Sequence, residues 1–323
     1  MAQKRIIEAI NDALSEEMER DEQVIVFGQD IEISMFGDTK GLLQRFGPAR
    51  VRNTPISETL MSGMAVGAAA AGYRVVCHMM YANMFYTGFE GIANQAAKLP
   101  YMTAGQVKLP IVFFGLMGGG RSVGAQHSDS SHPLFMQLGG LKVVVPSTPA
   151  DAKGLLKSAI RDDGPVVYLQ AGGRGPERAE VPDGEFLTPL GVADTKRSGR
   201  HVTVVAIGSM VRRALAAAEK LAAEGIECEV IDPRCLVPLD KAAILDSVRK
   251  TRHLVVVDEA RLTCGAASEI TAIVAEKGFS YLLGPPVRVA VPDVPMPFAP
   301  VLEREVIPNE DRIVGAVHRA LGR

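Results

Sequence analysis

Glu58 is the single carboxylate in a run of small and apolar residues, "NTPISETLMSGMAVGAAAAG", over positions 53–72. A carboxylate at a helix start can serve the positive end of the helix dipole or close its first turn. In a dry pocket it can instead hold and pass a proton. A second stretch, "GLMGGGRSVGAQHSDSSH", joins a glycine-rich loop to His127 and His132. Imidazole changes charge near neutral pH and suits proton handling, although a lone histidine is often structural. The loop is not a P-loop, because no GK[ST] follows the glycines. A third stretch, "MMYANMFYTGF" over 79–89, holds methionines and aromatics that serve equally as core or as the wall of a pocket. Each stretch taken alone has an ordinary reading.

The elements that carry these stretches alternate. The spacing predicts a helix over Ile6–Arg20, a strand at "VIVFGQD", the Glu58 helix, a strand from Arg74 to Met80, and a helix near Thr87–Lys98. Next come strands at "LPIVFFG" and "LKVVVPS". A helix capped by Ser147 or Thr148, with Pro149 in its first turn, and a strand at "PVVYLQ" follow. Continuous β-branched runs mark strands buried on both faces, as in parallel sheets covered by helices. Open parallel sheets bind ligands at the carboxyl ends of their strands, where all three stretches fall.

Residues 171–200 are rich in Gly, Pro, Arg and Glu without a clear period and read as a connection. The alternation restarts after it and runs to "VRVAVPD". The expected fold is therefore α/β, with two three-layer α/β/α domains and mostly parallel sheets. Its expected limits are a first domain over 1–180, a linker over 181–200 and a second domain over 201–323.

With 323 residues, 47% hydrophobic and 22% charged, the chain can bury large cores. A net charge of -2 gives no electrostatic case for nucleic acid or an acidic membrane. No apolar run is long enough to span a bilayer. The start, "MAQKRIIEAINDALSEEMERDEQ", is an acidic amphipathic helix and not a targeting peptide. Four scattered cysteines, with no CxxC pair, read as core residues of a reduced cytoplasmic protein.

Several separated motifs, in order and over nearly the whole chain, resemble one family. "NTPISE", "NQAAKLPYMTAGQ", "PIVFFG", "GAQHSDS", "LKVVVPSTPADAKGLLKSAIRDDGPVVYL", "EGIECEVIDPRCLVPLD" and "VRVAVPDVPMPFAPVLE" are similar to the β subunit of thiamine-diphosphate-dependent 2-oxo acid dehydrogenases, the E1 component. Pyruvate, branched-chain and acetoin dehydrogenases belong to it. The resemblance implies a transketolase-like pyrimidine-binding domain followed by a transketolase C-terminal domain.

The resemblance also implies roles. Glu58 would hydrogen-bond N1′ of the cofactor's aminopyrimidine and share a proton there, favouring the imino tautomer that deprotonates the thiazolium. His127 would handle protons as the acyl group passes to the lipoyl arm of E2, or touch substrate. Ile56, Ser57, Met80 and the segment Met84, Phe85, Tyr86 and Thr87 would line the pyrimidine pocket. Backbone carbonyls of Ile111, Ala159, Ile160, Asp162 and Gly164 match a K⁺ site found in some members. The sequence departs from the family pattern at Met84, often aromatic, and at His78, often acidic. It departs again at Asp129, often Gln, and at Gly28-Gln29-Asp30, often "GED".

No GDG motif for Mg²⁺ and the diphosphate occurs here. The resemblance thus implies half an active site, completed by an E1 α subunit that holds Mg²⁺ in an α2β2 assembly. The implied partners are that α subunit, a lipoylated E2 and a second β chain, with no nucleic acid and no membrane. A thiamine-dependent carboligase or acyl transferase subunit without an E2 stays open. So does a non-catalytic scaffold, which Glu58 argues against. A doubly wound NAD-binding protein lacks its GxGxxG signature here.

Overall fold

Among the described residues, eight strands and their helices build the first of two compact units, residues 1–117 and 134–190. The computed structural model describes residues 1–171 and 178–323; residues 172–177, part of the irregular connection, lie outside the described residues. The strands are β1 (Ala2–Lys4), β2 (Val24–Gly28), β3 (Val51–Asn53), β4 (Arg74–Tyr81), β5 (Ile111–Met117), β6 (Lys142–Val144), β7 (Val166–Ala171) and β8 (Ala179–Val181). Six of them form a parallel sheet in the order β6-β7-β5-β4-β2-β3. β1 pairs antiparallel with β8. Every residue of β5 and β7 is buried, as their unbroken apolar runs require.

Helices cover both faces of this sheet. Cys77 of β4 turns toward the Glu58–Ala70 helix, its Sγ 3.8 Å from the Met61 carbonyl. Tyr168 of β7 is in register with Phe114, and Phe114 with His78, so it faces the other way. Its hydroxyl donates to the Ala152 carbonyl on the Pro149–Arg161 helix at 2.8 Å. That helix is capped by Thr148, which accepts from the Asp151 N–H at 3.1 Å. It packs on Ile6–Arg20 across a charged seam. Lys157 and Glu17 are both fully buried there, Lys157 pairing with Glu16 and Glu185, and Glu17 with Arg161. Buried charges persist when paired in this way.

The expected Thr87–Lys98 helix takes another form. A tight turn at Ala82–Tyr86 leads into a π-helical stretch at Gly91–Ala96. Close packing is the reason. A Cβ on Gly88 would come within 2.9 Å of the Glu58 carbonyl, and one on Gly91 within 2.4 Å of the Ser62 hydroxyl. The widened helix seats these glycines against the Glu58 helix.

The second unit comprises residues 118–133 and 191–323. Its strands are β9 (Asp194–Arg197), β10 (Val202–Ala206), β11 (Cys228–Asp232), β12 (Cys235–Val237), β13 (Leu254–Arg261) and β14 (Val287–Val291). Five form a sheet in the order β14-β13-β10-β11-β9, parallel except for β9. Val204, Val230, Val255 and Val257 pack with Ala214, Ala217 and Leu221 of the Met210–Ala223 helix and with Val317 of Glu310–Ala320. Residues 118–133 follow β5 in the chain yet group with this unit.

Cys77, Cys228 and Cys235 are buried, whereas Cys264, expected in the core, is exposed. Its φ of +57° places it in a turn. Burial raises the Cys77 thiol far above its ordinary range and pushes Cys228 up to about 11.

Candidate active site

Gly28 ends β2 and sits in register with Asn53, the last residue of β3, and with His78 of β4, which runs on to Tyr81. Gln29 follows directly. Glu58 opens the helix that follows β3. Both side chains are 6% exposed, and Gln29 Nε2 donates to Glu58 Oε1 at 2.8 Å. The same amide lies 3.8 Å from the Met61 sulfur. Among the described residues Gln29 is the only hydrogen-bond partner of the Glu58 carboxylate. The carboxylate takes no backbone N–H from its own helix, so it is not acting as a cap. A buried carboxyl has about four acceptor positions. Here Gln29 takes one of them.

The expected pocket residues divide by exposure. Ile56 is 82% exposed, Tyr86 and Thr87 are exposed, and Ser57, Met80 and Met84 are half-buried. Phe85 is different. Its ring is fully buried, edge-on to Phe135 at 5.6 Å, in a notch that a Cβ on Gly115 would fill. Phe85 therefore anchors the segment in the core, and Met84, Tyr86 and Thr87 are the members that can meet a ligand.

His78 is 2% exposed, on the sheet face opposite Cys77. Its Nε2 lies 2.8 Å from Asp38 Oδ2, and its Nδ1 accepts the Met80 N–H at 3.2 Å. Asp38 was not among the residues singled out from sequence, because its partner lies forty positions away.

His127 belongs to the second unit, half-buried in a single turn at Ala125–His127. Arg121 braces that turn, donating to the Gly118 carbonyl at 2.8 Å and the His127 carbonyl at 3.4 Å. The glycine-rich loop before it holds the protein's own carboxylates. Glu303 accepts the N–H groups of Gly120 (2.7 Å), Arg121 and Ser122 together with the Ser122 hydroxyl. Glu259 accepts from the Gly119 N–H and the Ser209 hydroxyl. Successive backbone N–H groups make a concave anion site, and here Glu303 fills it. His132 is fully buried, its Nε2 3.0 Å from Asp258 Oδ1. Burial opposes ionisation of Asp258, but His132 and the N–H groups of Ala260 and Ala267 outweigh it and hold the carboxyl below its usual range. Asp129 pairs with Arg261 at 2.9 Å.

At the expected K⁺ carbonyls a side-chain cation is already present. Arg74 Nη1 donates to the Ile160 and Asp162 carbonyls at 3.1 Å each, and the Ala159 carbonyl accepts from the Asp162 N–H at 3.3 Å. The Asp162 carboxylate binds Lys142 and the Gly164 N–H, each at 2.8 Å. Arg74 thus donates to two of the five expected carbonyls, Ile111 and Gly164 being the remaining members of that set. No group of three or more metal-ligating side chains occurs among the described residues. No described helix is long and apolar enough to cross a membrane.

Residues 2–170 match the family model of the transketolase pyrimidine-binding domain, and residues 191–313 that of the transketolase C-terminal domain. Among curated proteins, the chain is 42% identical to the acetoin:2,6-dichlorophenolindophenol oxidoreductase subunit beta of Bacillus subtilis, covering 98% of this chain and 96% of that one. It is 46% identical to the pyruvate dehydrogenase E1 component subunit beta-1, mitochondrial, of Arabidopsis thaliana, covering 98% and 89%. It is 42% identical to the pyruvate dehydrogenase E1 component subunit beta of Rickettsia felis, covering 97% and 96%. A solved structure titled split gene transketolase, inactive beta4 tetramer, is similar with a TM-score of 0.83 at 27% identity, covering 98% of each chain.

Proposed function

Because this chain belongs to the E1 β-subunit family, built from transketolase pyrimidine-binding and C-terminal domains, we propose that it supplies the proton-handling half of a thiamine-diphosphate site. In that site a 2-oxo acid is decarboxylated, or acetoin cleaved, and the acyl group passes to a lipoylated E2. The observation that carries this reading is the buried Glu58 carboxyl with a single partner, Gln29.

Bound thiamine diphosphate would supply a nucleophilic carbon and an electron sink for the bond that breaks. The work of this chain is proton transfer and positioning. Glu58 holds a proton at the pyrimidine N1′, a duty worth about 10²–10⁴ in rate for a placed acid or base. Gln29 fixes one carboxylate oxygen and leaves the other free to turn to the ring. Met80, Met84, Tyr86, Thr87, Ile56 and Ser57 would cover the pyrimidine, a polarizable Met being able to cover a flat ring. His127 handles protons during transfer to the lipoyl arm. Mg²⁺ and the diphosphate fall to an α subunit in a cytoplasmic α2β2 assembly, and β chains also self-associate. The name of the similar structure, a split-gene transketolase, favours one second reading, a carboligase subunit that uses no E2.

The test is reconstitution with the α subunit, thiamine diphosphate and Mg²⁺, assayed on pyruvate, branched-chain 2-oxo acids and acetoin. Turnover requiring both chains, with acyl transfer to lipoyl-E2 lost on His127→Ala, supports the dehydrogenase. Turnover at the full rate by this chain alone would overturn the shared site. Turnover with no transfer to any lipoyl domain would favour the carboligase.

A further inference from the structure

The surroundings of His78, at a bend in β4, give it a task. His78 and Asp38 are each 2% exposed, with Nε2 and Oδ2 at 2.8 Å. The Met80 N–H points at His78 Nδ1 at 3.2 Å. A backbone N–H can only donate, so Nδ1 is the acceptor and the ring hydrogen lies on Nε2, aimed at the Asp38 carboxylate. Asp38 selects the tautomer, and the tautomer catches Met80.

Met80 is the residue that needs catching. Its φ is +60°, the left-handed region that a side chain disfavours. The pairing of β4 with β5 shifts register between His78 and Tyr81. In an unbroken strand, residues three apart face opposite ways. Here both rings meet Phe36, His78 at 6.0 Å and Tyr81 at 5.5 Å. The alternation is therefore reset by one residue at Met79–Met80, which is the effect of a β-bulge. The turn Ala82–Tyr86 follows directly on that reset. Phe85 pins the far end of the segment against Gly115 and Phe135.

We propose that His78, held by Asp38, is a positioning residue that sets the bulge at Met80 and so aims Met84, Tyr86 and Thr87. That these three meet the aminopyrimidine rests on the function proposed above.

The two ring nitrogens have different amide mimics, which separates aiming from mere support. His78→Asn puts an oxygen near Nδ1, keeps the acceptor for Met80 and strands the Asp38 carboxylate. His78→Gln reaches Asp38 with its amide nitrogen and leaves the Met80 N–H without an acceptor. In the assembled complex, His78→Gln should weaken thiamine diphosphate binding by about tenfold, the worth of one buried hydrogen bond, and His78→Asn by less than about threefold. Thermal stability should fall in the opposite order, with His78→Asn the worse. Amide exchange across residues 80–87 should speed by about tenfold in His78→Gln alone. Cofactor affinity that follows stability, or equal exchange in the two variants, would overturn the proposal. Met84→Ala separates the two claims. If it leaves cofactor affinity unchanged, the pocket assignment fails, and the exchange comparison still decides whether His78 sets the segment.

Discussion

Glu58 and Glu303 occupy the same kind of place. Each lies in the first turn of a helix, and each is buried, at 6% and 2% exposure. Their partners differ. Three consecutive backbone N–H groups and a hydroxyl converge on Glu303. A single side-chain amide reaches Glu58. A carboxylate whose acceptor positions are filled by backbone is a structural clamp, and removing it strands donors. A buried carboxylate left largely open is an arrangement that folding alone does not call for, and a ligand would complete it. Burial and helix position do not distinguish the two; the partner set does.

The largest stability effect should come from the clamp. Glu303→Ala leaves the Gly120, Arg121 and Ser122 amides without their acceptor and should cost about 3 kcal/mol by urea unfolding. Glu58→Ala, measured the same way, should cost less than about 1 kcal/mol, because only Gln29 loses a partner. Equal costs would break the comparison.

Glu259 sharpens it with pH. Burial raises its carboxyl above the ordinary range, against the pull of Ser209, the Gly119 N–H, Arg121 and Arg213. A group with a raised folded pKa contributes stability in full below its unfolded value of about 4.3, and that contribution is lost as pH rises through the folded value. Glu259→Gln cannot ionise. The stability difference between wild type and variant should therefore move toward the variant as pH rises above about 4.3. A difference that moves the other way would place the carboxyl among the lowered ones, with Asp258.

Much of this was legible in the sequence, and the limits have physical causes. Glu58 stood out because it interrupts a small-residue run, and the unbroken β-branched runs gave the parallel sheets. Its partner Gln29 was visible as a departure from "GED" but not as a partner, since 29 positions separate the two. Glu303 reaches Gly120 across 183 positions, and no local pattern reports such a pairing. The glycine-rich loop looked open to a ligand for that reason. Phe85 read as a pocket residue with its neighbours, because the notch at Gly115 and Phe135 that takes its ring is made by residues distant in sequence. The Thr87–Lys98 helix widened for a tertiary reason, the seating of Gly88 and Gly91 on a neighbouring helix.

The most direct measurement concerns the open carboxylate. Glu58→Gln keeps side-chain volume and the contact with Gln29 but cannot carry a proton. In the assembled α–β complex, exchange of the C2 hydrogen of bound thiamine diphosphate into D₂O, followed by NMR, should slow by at least about a hundredfold. If Glu58 serves only the helix start, the change removes a dipole contribution of roughly 0.3–1 kcal/mol, and exchange stays within a few-fold of wild type. That result would contradict the assignment of Glu58.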